Sequence, residues 1–357
     1  MNNSISYCFF LGANSSRGFV SFFDSAVHDP AIRRNYVFKG GPGCGKSTSM
    51  RRLVESACQR GLRREIIYCS SDPSSLDGAL LPEAGAAVYD GTSPHVIEMA
   101  FPGAEGQYVT APPFLDGDGL VEKTAELRRT NRQLALHYQE VFRLTAAAGK
   151  IRDSIRAQLE PISDLRRLEK RASGIISREI PRGEGAGLEK KRFLSGITPQ
   201  GILCFYDTVD ALAGRVYDLR DPYGFAHILL TPILQAALRS GYDAYACYSP
   251  LHPDRLEHLI IPALSLAFVT SNDYYAYEKE AYRRINISGV VERESLREIR
   301  GKVRLLHKIE HALLDDAVAE LHGTKKYHDH LEELYRPHLD FQALTACTED
   351  LIQKILG

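Results

Sequence analysis

Short apolar runs alternate with amphipathic stretches through the first part of the chain. Tyr36, Val37 and Phe38 form a continuous apolar run, the pattern of a strand buried on both faces. Beyond a glycine-rich stretch, Met50, Leu53, Val54, Ala57 and Cys58 recur at helical spacing and predict one apolar stripe. Gly61 stands where a helix end favours a residue tolerant of positive φ. Ile66 to Tyr68 and Ala86 to Tyr89, the latter closing on Asp90, read as further core strands. The longest apolar stretch, Leu259 to Val269, has 11 residues and contains Pro262, so it predicts a buried strand with a flanking turn. It is about half of the ~20 residues a membrane helix needs.

The pattern then repeats. Phe10-Leu11-Gly12, Gly18 and Asp24 are echoed 183 positions later by Phe193-Leu194-Ser195, Gly201 and Asp207. Gly61, Tyr68, Pro73, Leu76, Asp77 and Pro82 are echoed 180 positions later by Gly241, Tyr248, Pro253, Leu256, Glu257 and Pro262. Each copy precedes a charged, helix-prone region. Val121 to Arg192 is interrupted near Pro161 and closes on the Gly183–Gly187 turn; the second region runs from Glu292 to Leu356, with breaks expected near Gly323 and Pro337. The expected fold is therefore α/β: two P-loop NTPase-like parallel-sheet domains, the second degenerate, each followed by a helical appendage. The divisions fall at 1–120, 121–191, 192–291 and 292–357.

Gly40-Gly41-Pro42-Gly43-Cys44-Gly45-Lys46-Ser47, followed by Thr48, satisfies GxxxxGK[ST] in full, with a strand before it and a helix after. Phosphate oxygens must be wrapped by backbone N–H groups, and glycines let the backbone come that close. The helix N-terminus adds partial positive charge. Lys46 is placed to reach the β- and γ-phosphates, and Ser47 to ligate Mg²⁺. Asp90, ending its strand, is the candidate second support for the metal. No Glu follows it, so the water-activating carboxylate of many fast ATPases is not at its expected place.

Asp72 and Asp77, in Cys69-Ser70-Ser71-Asp72-Pro73-Ser74-Ser75-Leu76-Asp77-Gly78, are candidates for a general base, a water positioner or a substrate contact. An Asx turn followed by a helix cap fits the same residues. His95 is a candidate γ-phosphate sensor or acid–base group, with a loop residue as the plainer alternative. Arg17 offers an arginine finger against simple surface solvation. At an offset of 180 the loop falls on Arg220 to His227: Ala226 replaces Lys46, His227 replaces Ser47, His252 replaces Asp72 and Thr270 replaces Asp90. The second copy is thus expected to be catalytically silent. His307-Lys308-Ile309-Glu310-His311 spells HxxEH, a zinc-peptidase pattern, but no third ligand is identifiable in the sequence.

Composition narrows the function classes. With 44% hydrophobic and 25% charged residues, the 357-residue chain has the balance of a folded two-domain protein. A net charge of -1 argues against a protein that mainly coats nucleic acid or an anionic membrane. The first helical region carries 17 basic and 10 acidic residues and the second 10 and 13; two solvated helical faces are the plainer reading, with packing of the two on each other or a protein partner as alternatives. A nucleic acid on the basic region is a weaker alternative. Seven scattered cysteines with no CxxC pair fit reduced thiols, and the amino-terminal stretch lacks the basic n-region of a signal peptide, so a cytoplasmic protein without a membrane span is expected.

Those residues resemble a bacterial family of tandem-duplicated P-loop proteins known as ATPases or ATP-binding proteins. The resemblance rests on the GxxxxGFxSFxD-like stretch at Ala13–Asp24, KGGPGCGKST at Lys39–Thr48, CSSDPSSLDG at Cys69–Gly78 and the DGTSPH turn at Asp90–His95. It implies ATP as the nucleotide and two P-loop-like halves, whereas the second loop here departs from the pattern. The expected function is a slow or partner-stimulated Mg-dependent ATPase with one live site, using Lys46, Asp72 and Asp90. A small-molecule or nucleotide kinase and a non-catalytic nucleotide-gated binding module are the alternatives.

Overall fold

The computed structural model describes residues 5–357; the first four residues of the amino-terminal stretch discussed above lie outside it. Elements follow one order twice. The first lobe contains β1 (Ser6–Phe9), the hairpin β2 (Gly12–Ser15) and β3 (Gly18–Ser21), α1 (Phe23–Val27), β4 (Arg34–Lys39), α2 (Lys46–Gln59), β5 (Arg64–Tyr68), β6 (Leu76–Leu81), β7 (Ala86–Asp90) and β8 (Gly106–Thr110). Helices α3 (Gly117–Glu122), α4 (Thr124–Leu159) and α5 (Arg166–Glu179) follow. The second lobe contains β9 (Glu189–Arg192), the hairpin β10 (Ser195–Thr198) and β11 (Gly201–Cys204), α6 (Tyr206–Leu212), β12 (Arg215–Arg220), α7 (Ala226–Arg239), β13 (Ala244–Tyr248), β14 (Leu256–Ile261), β15 (Leu266–Ser271) and β16 (Arg283–Asn286). Helices α8 (Arg293–Tyr335) and α9 (Phe341–Leu356) close the chain.

The strand orders, β1-β5-β6-β7-β4-β8 and β9-β13-β14-β15-β12-β16, correspond strand for strand. A pseudo-twofold axis relates them. Phe10 and Phe193, equivalent in the two copies, exchange both backbone hydrogen bonds at 2.9 Å. The Asn14 side-chain amide likewise donates to the carbonyl of its counterpart Ile197.

The sheets are mixed, not parallel throughout as expected: β6 runs antiparallel to β5 and β7, and β14 to β13 and β15. The cause is local. Short connections join these strands, and a parallel pairing needs a long crossover. Leu259 to Val269 is accordingly not one strand with its turn. It spans the end of β14, a 3-10 turn at Pro262–Leu264 and most of β15. Nor does Gly323 break the second helical region. It lies inside α8, and the break comes only at Arg336–His338.

Apolar side chains from both sheets, including Phe9, Tyr89, Tyr245 and Val269, form a core between the lobes together with α1 and α6. Polar contacts cross it as well: Arg192 on β9 pairs with Glu65 on β5, both almost wholly buried, and Lys190 pairs with Asp29 at 2.7 Å. The outer faces are covered by crossing helices. Leu168, Ala172 and Ile175 of α5, which follows the first lobe, pack with α7 of the second. Leu351 and Ile352 of α9, which follows the second lobe, pack with Met50 and Leu53 of α2 in the first. Helices α4 and α8 lie antiparallel, tied by Glu126–His330, His137–Glu320 and Arg152–Glu310. Among the described residues, no helix is long and apolar enough to cross a membrane.

Candidate functional site

Gly40 to Ser47 connects the carboxyl end of β4 to the start of α2. Gly43 and Gly45 both adopt φ +70°, a left-handed conformation that residues with a Cβ resist. Such turns bring successive N–H groups to one side, and the first turn of α2 adds its own unpaired amides. The Lys46 ammonium bends back over the loop, donating to the carbonyls of Gly40 at 2.9 Å and Gly41 at 2.8 Å. It lies 3.6 Å from Asp90 Oδ2. Strand β7 brings Asp90 there because it pairs directly with β4, with Asp90 opposite Phe38. The Ser47 hydroxyl oxygen accepts from the Leu76 amide at 3.0 Å, and Asp90 Oδ1 from the Thr92 amide at 2.9 Å. Cys44 is buried against the loop, which pushes its thiol up.

The other candidates divide. Both Asp72 oxygens are engaged by its own turn, from the Ser74 amide at 3.1 Å and the Ser75 hydroxyl at 2.8 Å. Burial alone would raise this carboxyl, but these bonds and the charge of Lys325 hold it below its ordinary value. The Asx turn is therefore present, whereas the helix cap is not, because strand β6 follows. Asp77 and His95, 4% and 7% exposed, face each other, with Oδ2 and Nε2 3.2 Å apart. Phe19 and Phe23 wall the imidazole at ring-centre distances of 4.9 Å. Burial opposes charge on His95, yet the Asp77 and Asp90 carboxylates hold its pKa above the ordinary value. Arg17 is not at this site: it pairs at 2.8 Å with Asp254 on the exposed surface of the second lobe.

The sequence reading missed the cover over the loop. A Cβ built on Gly41 would come within 2.6 Å of the Tyr335 ring, one on Gly43 within 3.0 Å of Glu332 Cα, and one on Gly45 within 2.5 Å of Leu344. The end of α8 and the start of α9 thus rest on the glycines themselves. The opposite net charges of the appendages left their packing together as one alternative to two solvated faces, and nothing local signalled which loop they reach.

The second lobe treats the same place differently. Strands β4 and β12 superpose at an offset of 181 but helices α2 and α7 at 180, so its loop is one residue shorter than a fixed offset of 180 implied. Asp221 occupies the position of Gly40. Its carboxylate accepts from the amides of Tyr223 at 3.2 Å, Gly224 at 2.9 Å and Ala226 at 2.6 Å. The chain supplies its own anion to these amides. Arg152 and Arg156 of α4 lie over Gly224, as Glu332 of α8 lies over Gly43. A cavity of about 80 Å³ adjoins them, lined by Asp221, His227, His252 and Arg255.

The HxxEH pattern does not form a peptidase centre. Glu310 is fully buried and held by Arg152 through bonds of 2.6 and 2.9 Å and by the Tyr274 hydroxyl at 3.0 Å. His307 and His311 approach a third group, Asp273, at 4.0 and 3.8 Å.

Comparison of the chain with protein-family models, with curated proteins and with solved structures finds no match.

Proposed function

We propose that the first lobe binds Mg-ATP and hydrolyses it slowly or on stimulation by a partner, while the second lobe is a P-loop-like counterpart without a live site. One observation carries the reading: a complete GxxxxGKS loop lies between β4 and α2, with two left-handed glycines and Lys46 held beside Asp90. Ser47 and Asp90 would hold magnesium, which would neutralise phosphate charge when bound. Lys46 would leave the carbonyls of Gly40 and Gly41 for the phosphates. Asp72 would orient water only after releasing a serine contact, and Gly91 follows Asp90 where fast ATPases carry an acid; both fit slow turnover. The resemblance to tandem P-loop ATPases supports ATP over other triphosphates.

A nucleotide-gated binding module without turnover is the second reading, favoured by the helix ends resting on Gly41, Gly43 and Gly45. Binding and phosphate release measured with each nucleoside triphosphate and Mg²⁺ separate the two. Lys46→Ala is expected to abolish binding. A triphosphate analogue found at the second lobe with the first lobe empty would overturn the proposal.

A further inference from the structure

Beside the phosphate loop, Cys69, Asp77 and His95 bring a sulfur, an oxygen and a nitrogen donor within 4.8 Å of one another. They come from the loop after β5, the start of β6 and the loop after β7. Asp77 and His95 are more than nine-tenths buried, yet Asp77 Oδ2 and His95 Nδ1 have no hydrogen-bond partner. Their closest atoms, Oδ2 and Nε2, stand 3.2 Å apart without hydrogen-bond geometry. Two oxygen or nitrogen ligands on a tetrahedral zinc-class ion, each about 2.0–2.1 Å from it, are separated by about 3.4 Å.

The second lobe provides an internal control. At the same positions it carries Ser249, Glu257 and Tyr275, so sulfur and imidazole reach Glu257 only from other positions, His258 at 3.4 Å and Cys204 beyond it. There Glu257 is satisfied by the Ser195 hydroxyl at 2.6 Å. The first-lobe counterpart of Ser195 is Gly12, which packs against His95 and has no hydroxyl to offer.

We propose that Cys69, Asp77 and His95 bind one zinc-class divalent transition ion, separate from the magnesium of the nucleotide. Such a site ties the ends of β5, β6 and β7 together beneath the loop. The Cys69 thiol gives up its proton on binding, and the imidazole binds neutral; thiolate and carboxylate then balance the 2+ charge, leaving a coordination position for water.

The test is titration of the chelator-treated full chain with Co²⁺, followed by absorption. One equivalent is expected to give a thiolate-to-cobalt charge-transfer band and the visible bands of a tetrahedral ion, both erased by Zn²⁺. Cys69→Ser is expected to lose the charge-transfer band. His95→Gln is expected to weaken binding more than about a hundredfold, beyond the loss typical of an outer-shell partner. Asp273→Asn, at the sulfur-free cluster with His307 and His311, is expected to leave the band unchanged. No charge-transfer band in the wild type, or an undiminished band in Cys69→Ser, overturns the proposal. The measurement contains no nucleotide, so its failure leaves the ATP reading standing.

Discussion

Replacing Asp221 with alanine tests whether the second loop is an anion nest filled from within. The carboxylate is 2% exposed and accepts three backbone amides. Burial nevertheless raises its pKa, so the amides only partly offset the cost of the buried charge. The loss on mutation is therefore set mainly by the amides left behind. An orphaned buried donor costs about 1–3 kcal/mol. Three of them, with water able to enter from the adjoining cavity, place the change near the lower end, at about 3–5 kcal/mol.

The assay is urea denaturation of the full chain, wild type and Asp221→Ala, in chloride and in sulfate. The variant is expected to recover stability in sulfate relative to the wild type, because an inorganic anion can occupy the exposed amides. At a hundred times its dissociation constant the recovery is about 2.7 kcal/mol. A variant within about 1 kcal/mol of wild type, with no differential response to sulfate, would refute the reasoning: those amides would not be held by the carboxylate in the way the distances imply.

Other perturbations probe the frame around the sites. Glu65→Ala leaves the buried Arg192 without its carboxylate and is expected to cost about 3–5 kcal/mol by denaturation. At the symmetry-related place Phe9 stacks on Tyr245, so Glu65→Tyr with Arg192→Phe is expected to recover most of that loss. His227 is pushed down to about 4 by burial and then by Arg156 and Arg255. Its unfolded-state pKa is about 6.5, so the unfolded chain takes up this proton first. Stability is lost as pH falls from about 6.5 toward 4, by about 2–3 kcal/mol, and His227→Gln is expected to flatten that slope in denaturation measured at pH 7 and pH 5. Leu351→Ala removes a buried α9 side chain from the core over α2 and is expected to cost about 2–5 kcal/mol, with hydrogen exchange quickening first in the first lobe. Binding of a triphosphate at the first lobe is expected to leave amide exchange at 221–227 unchanged, because Asp221 already fills that loop; altered exchange there would argue against a fixed second loop.

What was legible in the sequence is what local pattern determines. The apolar run at Tyr36 to Phe38, the helical stripe of Met50, Leu53 and Ala57, and the strand ending at Asp90 emerge within a few residues of their expected bounds. Gly61 adopts the positive φ its position suggested. Strand β6 was harder to read: Asp77 and Gly78 interrupt its apolar run, although every position in it is buried. Its direction depends on connection length, which periodicity does not encode. The pairing of Asp77 with His95 and the cover of Glu332 over Gly43 depend on contacts across the fold. Asp221 entered the sequence reading only as part of the Arg220–His227 counterpart of the loop; its role follows from where three amides point, and a fixed repeat offset concealed the missing loop residue.

The crossing of the helices gives the asymmetry between the lobes its consequence. Each loop is covered by the long helix of the other repeat: Glu332 of α8 rests on Gly43, and Arg156 of α4 rests near Gly224. The two helices are antiparallel and share the buried Arg152–Glu310 pair, whose disruption leaves an uncompensated charge. Moving α8 alone is therefore opposed along its length. Under the proposed function, a phosphate at the first loop would meet the backbone of Glu332 over Gly43, beside a carboxyl that burial and the nearby Asp329 and Asp72 hold above its ordinary pKa. At the second loop the Asp221 carboxylate is held by three amides, so the end of α4 is expected to remain seated when the first loop is filled. One lobe then serves as a fixed anchor and the other as the end that moves. Under the proposed function, that division would account physically for one nucleotide-binding loop and one filled loop within a repeated fold.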